Sequence, residues 1–262
     1  MASLPVSFVF GATGLVGSHL VTALLGHEAF GTVHTITRRP PKQADTPKLD
    51  AIVETDNHKW VARLQEELAR GTTTTTTTTS AAAASDAASP AVVFSALGTT
   101  HNAPGGIANQ WRIDHDLNIE LARAAKAAGV RTYVFVSSAG TRSLLARNLQ
   151  YSRMKNGVED ALKELAFEHT IVLKPGMILG KREVEHLGGM PLKALVHGTG
   201  YIAAGLKDRF GQDADVIGKA AVHAAQLAAE GKAPAAYWEL GGTDIVRLGR
   251  DEWTVRQEEE KK

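Results

Sequence analysis

Short runs of β-branched and aromatic residues alternate along most of the chain with longer segments whose apolar residues recur at helical spacing. The short runs predict strands at 6–10, 33–37, 51–53, 91–94, 132–136 and 170–173. The longer segments predict helices over 15–25, 60–68, 113–128, 151–165 and 214–229. Strands alternating with helices of this length favour an α/β fold, in which helices cover both faces of a doubly wound parallel sheet.

Length and low-complexity segments predict the domain organisation. With 262 residues, of which 44% are hydrophobic, the chain is long enough for one α/β core and short for two. We therefore expect a single domain over 1–262. The Thr- and Ala-rich tract 72–90 has no apolar period and is predicted to be a surface insertion. A glycine-containing segment over about 180–211 is predicted to form a small substrate cap.

Charge and residue types exclude several classes of protein. Lys and Arg total 29 against 28 Asp and Glu, so no global positive field draws the protein to nucleic acid or anionic lipid, and any membrane or partner contact must come from a local patch. Because cysteine is absent, redox chemistry requires a bound cofactor, and the ten histidines form no metal-binding motif, so we expect no metal site. No stretch approaches the about 20 apolar residues of a spanning helix. The few residues before the first strand leave little room for a cleavable import sequence.

A glycine-rich turn lies where the first predicted strand meets the first predicted helix. Its sequence is Gly11-Ala-Thr-Gly14-Leu-Val-Gly17. Glycine allows a tight turn and close approach to a pyrophosphate, which the N–H groups and positive dipole end of the helix would bind. The alternative is an ordinary glycine-rich turn. The position favours a Rossmann-type dinucleotide site, with candidate contacts at Gly11, Thr13, Gly14, Leu15, Val16 and Gly17.

The end of the second predicted strand bears on which dinucleotide is bound. An NAD site usually places an acidic residue there, on the ribose 2′-hydroxyl, but this strand is followed by Arg38 and Arg39. A guanidinium would bind a 2′-phosphate through charge-assisted hydrogen bonds, so NADP(H) is favoured over NAD(H). A solvated basic strand end is the alternative. Asp56, just after the third strand, is a candidate contact to the adenine, or else a turn or capping residue.

Candidate catalytic residues follow the next strands. Small residues end the fourth strand, where Leu97 and Gly98 are candidate cofactor contacts. The pair Ser137-Ser138 ends the fifth strand, with Ser138 as the catalytic candidate. Tyr151 and Lys155 follow at an i, i+4 spacing that places the phenol and the ammonium on one helix face. A nearby ammonium favours the ionised phenol, so Tyr151 can exchange a proton with a substrate oxygen that Ser138 holds. A chance pair on a solvated face is the alternative.

Several stretches together resemble the atypical short-chain dehydrogenase/reductase family, in the branch of the human Tat-interacting oxidoreductase. They are Leu97-Gly-Thr-Thr100, Asp114-His-Asp116, Val136-Ser-Ser138, Tyr151-x-x-x-Lys155-x-x-x-Glu159 and Lys174-Pro-Gly-Met-Ile178. Within that branch the chain resembles the fungal group, described as mitochondrial outer-membrane proteins. The resemblance implies NADPH binding, with Pro175 as a further contact, and peripheral attachment to the cytosolic face of that membrane. One departure bears on the chemistry, because Asp114 stands where many catalytic short-chain enzymes carry a proton-relaying asparagine.

Three hypotheses follow. The leading one is an NADPH-dependent reductase of a small carbonyl-type substrate, with Tyr151 as acid/base, Lys155 as its electrostatic partner and ribose contact, and Ser138 as oxyanion donor. The second is an NADPH-sensing protein with little or no turnover that controls a protein partner, as relatives are discussed in nuclear import and apoptosis. The third, a structural protein of the membrane surface, would bind no nucleotide. Without membrane attachment we expect a cytoplasmic location.

Overall fold

The computed structural model of the chain describes residues 4–73, 91–99, 104–180 and 211–253. Its strands are β1 (Val6–Phe10), β2 (Val33–Thr37), β3 (Leu49–Val53), β4 (Ala91–Ser95), β5 (Thr132–Val136), β6 (His169–Leu173), β7 (Met177–Leu179), β8 (Gly211–Asp213) and β9 (Tyr237–Leu240). Within these residues seven strands form one parallel sheet in the order β3-β2-β1-β4-β5-β6-β9. Strands β7 and β8 form a separate parallel pair. The predicted α/β fold is confirmed.

Helices connect the strands. They are α1 (Leu15–Leu25), α2 (Trp60–Thr73), α3 (Gly106–Trp111), α4 (Asn118–Ala127), α5 (Gln150–Leu165), α6 (Ala214–Ala229) and α7 (Gly242–Val246). A π-helical segment, Arg112–Leu117, joins α3 to α4, so the helix predicted over 113–128 begins earlier and is irregular in the middle. Among the described residues, no helix combines the length and apolar character that crossing a bilayer requires.

The sheet is buried on both faces, which explains why its strands are apolar almost throughout rather than at alternate positions. Side chains of successive residues point to opposite faces. Thus Val9 joins the core between the sheet and helices α1 and α6, whereas Phe8 and Phe10 join the core under α2, α4 and α5. Two apolar layers therefore fix the sheet between its helices.

Glycines allow close packing behind the first helix. A Cβ at Gly218 of α6 would lie 2.7 Å from the backbone nitrogen of Leu20 in α1. A Cβ at Gly249 would lie 2.0 Å from the carbonyl oxygen of Val216. Real Cβ atoms do not approach other atoms so closely. The missing side chain at Gly218 therefore lets α1 pack against α6, and the one at Gly249 lets the π-helical segment Arg247–Asp251 pack against α6.

The strand order fixes where a ligand can bind. Strands β2 and β3 are added to the sheet on one side of β1, and β4, β5 and β6 are added on the other side. The strand order therefore reverses between β1 and β4, and a crevice opens at the carboxyl ends of these two strands. The glycine-rich turn follows β1 at this edge. The predicted insertion 72–90 and the predicted cap 180–211 lie outside the described residues except at their ends.

Candidate functional site

A cavity of about 470 Å³ opens at the carboxyl edge of the sheet. Segments that follow β1, β2, β4 and β5 meet there with α5. The lining residues are Thr13, Gly14, Leu15, Val16, Ser18, His19, Thr22, Arg39, Pro40, Lys42, Gln43, Ala96, Leu97, Gly98, Thr99, Asp114, Val136, Ser137, Tyr151, Lys155 and Ile178. The crevice thus brings together residues that are up to 165 positions apart in the sequence, from Thr13 to Ile178.

The three glycines of the turn have two different roles. Gly11 has a φ of +79°, and a Cβ there would lie 2.5 Å from the carbonyl oxygen of Ala96. A Cβ at Gly17 would lie 2.0 Å from the carbonyl oxygen of Gly11. Gly14, by contrast, is exposed and lines the cavity, where an added Cβ would meet only Gly11 O, at 3.1 Å. Gly11 and Gly17 therefore close the turn, whereas Gly14 leaves room for a ligand at the start of α1.

Only one of the two predicted arginines lines the basic end of the cavity. Arg39 lines the cavity and Arg38 does not, although both are exposed. Lys42 and His19 line the same end of the cavity, and neither was predicted from the sequence. They come from the loop after β2 and from α1, and no motif joins them in sequence.

Gln43 ties this loop to the first helix. Its Nε2 donates to the carbonyl oxygen of Ser18 at 3.1 Å and to Oγ1 of Thr22 at 2.8 Å. Its buried Oε1 has no hydrogen-bond partner among the described residues. A hydroxyl or amide donor of a ligand would satisfy this oxygen, which makes Gln43 a candidate contact that the sequence did not reveal.

Tyr151 and Lys155 lie at the other end of the cavity. Lys155 is 5% exposed, and its Nζ donates to the carbonyl oxygen of Val136 at 3.1 Å and lies 4.8 Å from the ring centroid of Phe135. Tyr151 is 42% exposed. The ammonium is therefore held in place by the end of β5, while the phenol is open to incoming molecules.

The two serines after β5, Ser137 and Ser138, differ in whether they line the cavity. Ser137 is buried and lines the cavity, whereas Ser138, the predicted oxyanion donor, is half-buried and is not a lining residue. Successive side chains of an extended chain point to opposite sides, so a shift of one residue changes which serine reaches the site. In this structure the serine on the cavity wall is Ser137.

A buried carboxylate orients Ser137. The Ser137 hydroxyl donates to Glu159, which is 1% exposed. The other Glu159 oxygen lies 3.2 Å from Arg142 Nε and 3.1 Å from Lys174 Nζ. Because the serine proton is directed at the carboxylate, the serine oxygen presents acceptor lone pairs toward the cavity.

Asp114 and Asn118 belong to a second buried polar group. Asn118 Nδ2 donates to the carbonyl oxygens of Ile113 at 3.0 Å and Asp114 at 3.3 Å, which lie in the π-helical segment. Its Oδ1 accepts from Ser95 Oγ at 2.6 Å. Asn118 thus satisfies backbone groups at an irregular turn of helix.

Asp114 lines the cavity beside Lys155. Its Oδ1 accepts from the backbone N–H of Thr99 at 2.6 Å. Burial raises the pKa of the Asp114 carboxyl, and the ammonium of Lys155 and hydrogen bonds from Thr99 and Gln110 oppose that rise. The residue that departs from the usual asparagine is therefore a buried acid inside the site.

The remaining predicted contacts lie away from the lining set. Asp56 accepts from the backbone N–H of His58 at 3.0 Å and caps the short 3₁₀ helix Asn57–Lys59, which is the capping alternative considered for it. Pro175 is buried, and its carbonyl oxygen accepts from Ala139 N at 2.7 Å. These two assignments stay predictions.

One cluster of potential metal ligands was not apparent from the sequence. His34, Asp50 and Glu67 bring ligand atoms within 4.8 Å of one another. They come from β2, β3 and α2, so no short motif contains them. His34 Nδ1 already bonds Asp50 at 3.0 Å and Glu67 pairs with Arg70 at 2.5 Å, so the geometry is explained without an ion.

Comparison with known proteins places the chain in a family. The model of the NAD dependent epimerase/dehydratase family matches residues 7–190. The chain belongs to this family. Solved structures agree in fold: a short-chain dehydrogenase from Streptomyces avermitilis superposes with a TM-score of 0.59 at 20% identity over 98% of this chain and 95% of that one. A UDP-glucose 4-epimerase from Brucella ovis in complex with NAD gives 0.61 at 16% identity over 93% and 81%.

Within the epimerase/dehydratase family, fungal relatives are much more similar in sequence. "Protein fmp52-2, mitochondrial" of Aspergillus terreus is 52% identical over 94% of this chain and 97% of its own length. "Protein FMP52, mitochondrial" of Chaetomium globosum is 48% identical over 94% and 98%. The expected similarity to fungal mitochondrial proteins is confirmed, and assignment to the Tat-interacting branch stays a prediction.

Proposed function

We propose that this protein is an NADP(H)-dependent oxidoreductase of the atypical short-chain type that reduces a small carbonyl-type substrate. One observation supports this above the others: a single cavity is lined by the glycine turn, Arg39, Tyr151 and Lys155. We place the chain in the branch of the Tat-interacting oxidoreductase and treat residues 1–262 as one domain.

The residues present fit a nicotinamide dinucleotide. The space at Gly14, which a side chain would fill, together with the N–H groups that begin α1, suits a pyrophosphate. Gln43 Oε1 offers an unsatisfied acceptor. Solved neighbours such as the Brucella ovis epimerase contain NAD, which supports the same class of cofactor here. When bound, the reduced nicotinamide would supply a hydride.

Arg39 is our candidate for recognition of a 2′-phosphate. It follows β2, lines the cavity and is accompanied by Lys42 and His19. A guanidinium can form two charge-assisted hydrogen bonds to a phosphate, and each such bond is worth roughly 1.5–3 kcal/mol. Arg38, outside the lining set, provides an internal control.

The chain's own groups can manage the proton that carbonyl reduction requires. The Tyr151 phenol donates a proton to the substrate oxygen. The Lys155 ammonium, held by Val136 O at 3.1 Å, stabilises the phenolate that remains and contacts the ribose. Because Glu159 accepts the proton of Ser137, the Ser137 oxygen can act toward the substrate only as an acceptor, and we assign to it the role of positioning a hydroxyl group on the substrate. The role of oxyanion donor for Ser138 stays a prediction from the sequence, because Ser138 is not among the residues that line the cavity.

We also propose a mitochondrial location with peripheral attachment to the outer membrane. The relatives' names carry the word mitochondrial, and the resemblance to the fungal outer-membrane group supports the finer assignment. The attachment would be on the cytosolic face.

The cofactor assignment is tested by fluorescence titration with NADPH and NADH. Wild type is expected to bind NADPH tenfold or more tightly than NADH, and Arg39→Ala should remove most of that difference. Arg38→Ala is the matched control and should retain it. Equal affinities in the wild type, or selectivity lost only in Arg38→Ala, would contradict the assignment.

A screen of carbonyl substrates with NADPH then tests the reaction. Consumption of NADPH with a defined carbonyl compound is the expected result. Tight NADPH binding without turnover on any substrate class would instead favour an NADPH-sensing protein.

A further inference from the structure

The connection between β5 and α5 exposes leucines to solvent. We call residues 140–149 the leucine turn. Leu144 is 79% exposed, Leu145 is 95% exposed and Leu149 is 60% exposed. Single exposed leucines are common on soluble proteins, whereas a group of three within six residues is a candidate surface for contact with an apolar partner.

The backbone of the leucine turn is internally hydrogen-bonded. Ser143 N donates to Gly140 O at 3.0 Å, Ala146 N to Ser143 O at 3.1 Å, and Leu149 N to Ala146 O at 2.9 Å. These consecutive turns hold the leucines outward. Within the part of the chain that the structure describes, the leucines therefore face solvent from a hydrogen-bonded backbone.

The same part of the chain is positively charged. Residues 140–158 include Arg142, Arg147, Arg153 and Lys155 and contain no Asp or Glu. Arg142 is partly neutralised by Glu159 and Asp160, and Lys155 is buried. Arg147 is exposed next to the leucines, and no carboxylate in the described part of the chain forms an ion pair with it.

We propose that the leucine turn docks the protein onto an anionic phospholipid bilayer. Leu144 and Leu145 would enter the boundary between headgroups and acyl chains, and Arg147 would meet lipid phosphates. This proposal rests on the peripheral attachment proposed above and names the surface responsible for it. A stable protein interface buries about 800 Å² on each partner, which is more than three leucine side chains supply. A bilayer, by contrast, can accept two or three apolar side chains at its headgroup boundary.

The test is co-sedimentation of the full chain with vesicles. One set contains phosphatidylcholine alone, and the other contains about a quarter phosphatidylserine. Wild type is expected to bind the anionic set more tightly. The double variant Leu144→Ser, Leu145→Ser should lose roughly tenfold or more in affinity, because two apolar side chains no longer leave water. Arg147→Gln should lose about fivefold on anionic vesicles only.

Leu4→Ser is the matched control. Leu4 is 51% exposed and precedes β1, at the opposite edge of the sheet from the leucine turn, so its loss should not change vesicle binding. Thermal unfolding and NADPH titration of each variant should match wild type, since none of the three leucines lines the cavity.

Two results would overturn the docking surface: no vesicle binding by wild type, and equal vesicle binding by wild type and the double variant. If the second result comes with a changed oligomeric state in the double variant, the turn is a contact between copies of the chain. If wild type binds vesicles and does not bind NADPH, the proposed NADP(H)-dependent activity is contradicted and the docking surface is not.

Discussion

Replacement of Glu159 by glutamine tests whether a buried carboxylate holds the catalytic end of the site together. Glu159→Gln keeps the shape of the side chain and removes its charge. The carboxylate accepts from Ser137 and lies within 3.2 Å of Arg142 Nε and 3.1 Å of Lys174 Nζ, so three donors lose a charged acceptor together.

The magnitude follows from what these donors retain. Removal of one partner from a buried ion pair costs roughly 3–5 kcal/mol when the other charge is stranded. Here Arg142 keeps Asp160 at 2.6 Å and Lys174 keeps Glu239 at 2.8 Å, so neither cation is stranded. We therefore expect Glu159→Gln to lower the free energy of unfolding by about 2–4 kcal/mol.

Urea unfolding followed by far-UV circular dichroism measures this change. Glu168→Gln is the matched control, because Glu168 pairs with Arg131 at the surface and should cost at most about 1 kcal/mol. If Glu159→Gln costs no more than the control, the carboxylate does not hold this network. NADPH affinity should change little, since Glu159 is not a lining residue.

Further predictions concern the cavity itself. Tyr151→Phe should lower turnover of a reducible substrate by roughly 100-fold or more, while NADPH affinity, measured by titration, stays the same. Lys155→Ala should lower both turnover and NADPH affinity. Full turnover in Tyr151→Phe would refute the proton-donor role. Gly14→Val should abolish NADPH binding while the protein stays folded. Gly17→Val should unfold the protein, because a Cβ at position 17 would overlap the backbone of the turn. Thermal melting distinguishes the two outcomes. Asp114→Asn removes a carboxyl whose pKa is raised in the folded state, so folded wild type binds a proton before the unfolded chain does. Wild type should therefore gain stability relative to Asp114→Asn as pH falls from neutral into the acidic range, and a pH-independent difference in urea unfolding would contradict this.

Much of the fold could be predicted because local pattern and tertiary position agree in the first half of the chain. Strands β1 and β2 and helix α1 have the predicted bounds, since the glycines and the Pro40-Pro41 pair delimit them. Strand β9 was missed because it is only four residues long, Tyr237–Leu240, and its pairing with β6 is what identifies it as a strand. The π-helical segment between α3 and α4 was also missed, as its register depends on Asn118 and Ser95.

The site was predictable where a motif is continuous and not where the fold assembles it. The glycine turn and the Tyr151–Lys155 spacing could be recognised from neighbouring residues. The Ser137 orientation depends on Glu159, 22 residues later, and Lys42 reaches the cavity only because the loop after β2 folds against α1. Side-chain direction within the Ser137–Ser138 pair is set by the strand, which composition does not report.

The close contact between α1 and α6 makes the cofactor end of the cavity sensitive to residues that no ligand touches. An alanine at position 218 would force its methyl group against Leu20 N, and the simplest relief is a shift of α1 away from α6. Such a shift would carry the start of α1 and the backbone at Gly14 with it. Natural or engineered substitutions between α1 and α6 would then appear in binding assays as altered dinucleotide affinity. A search restricted to residues that line the cavity would not find the cause.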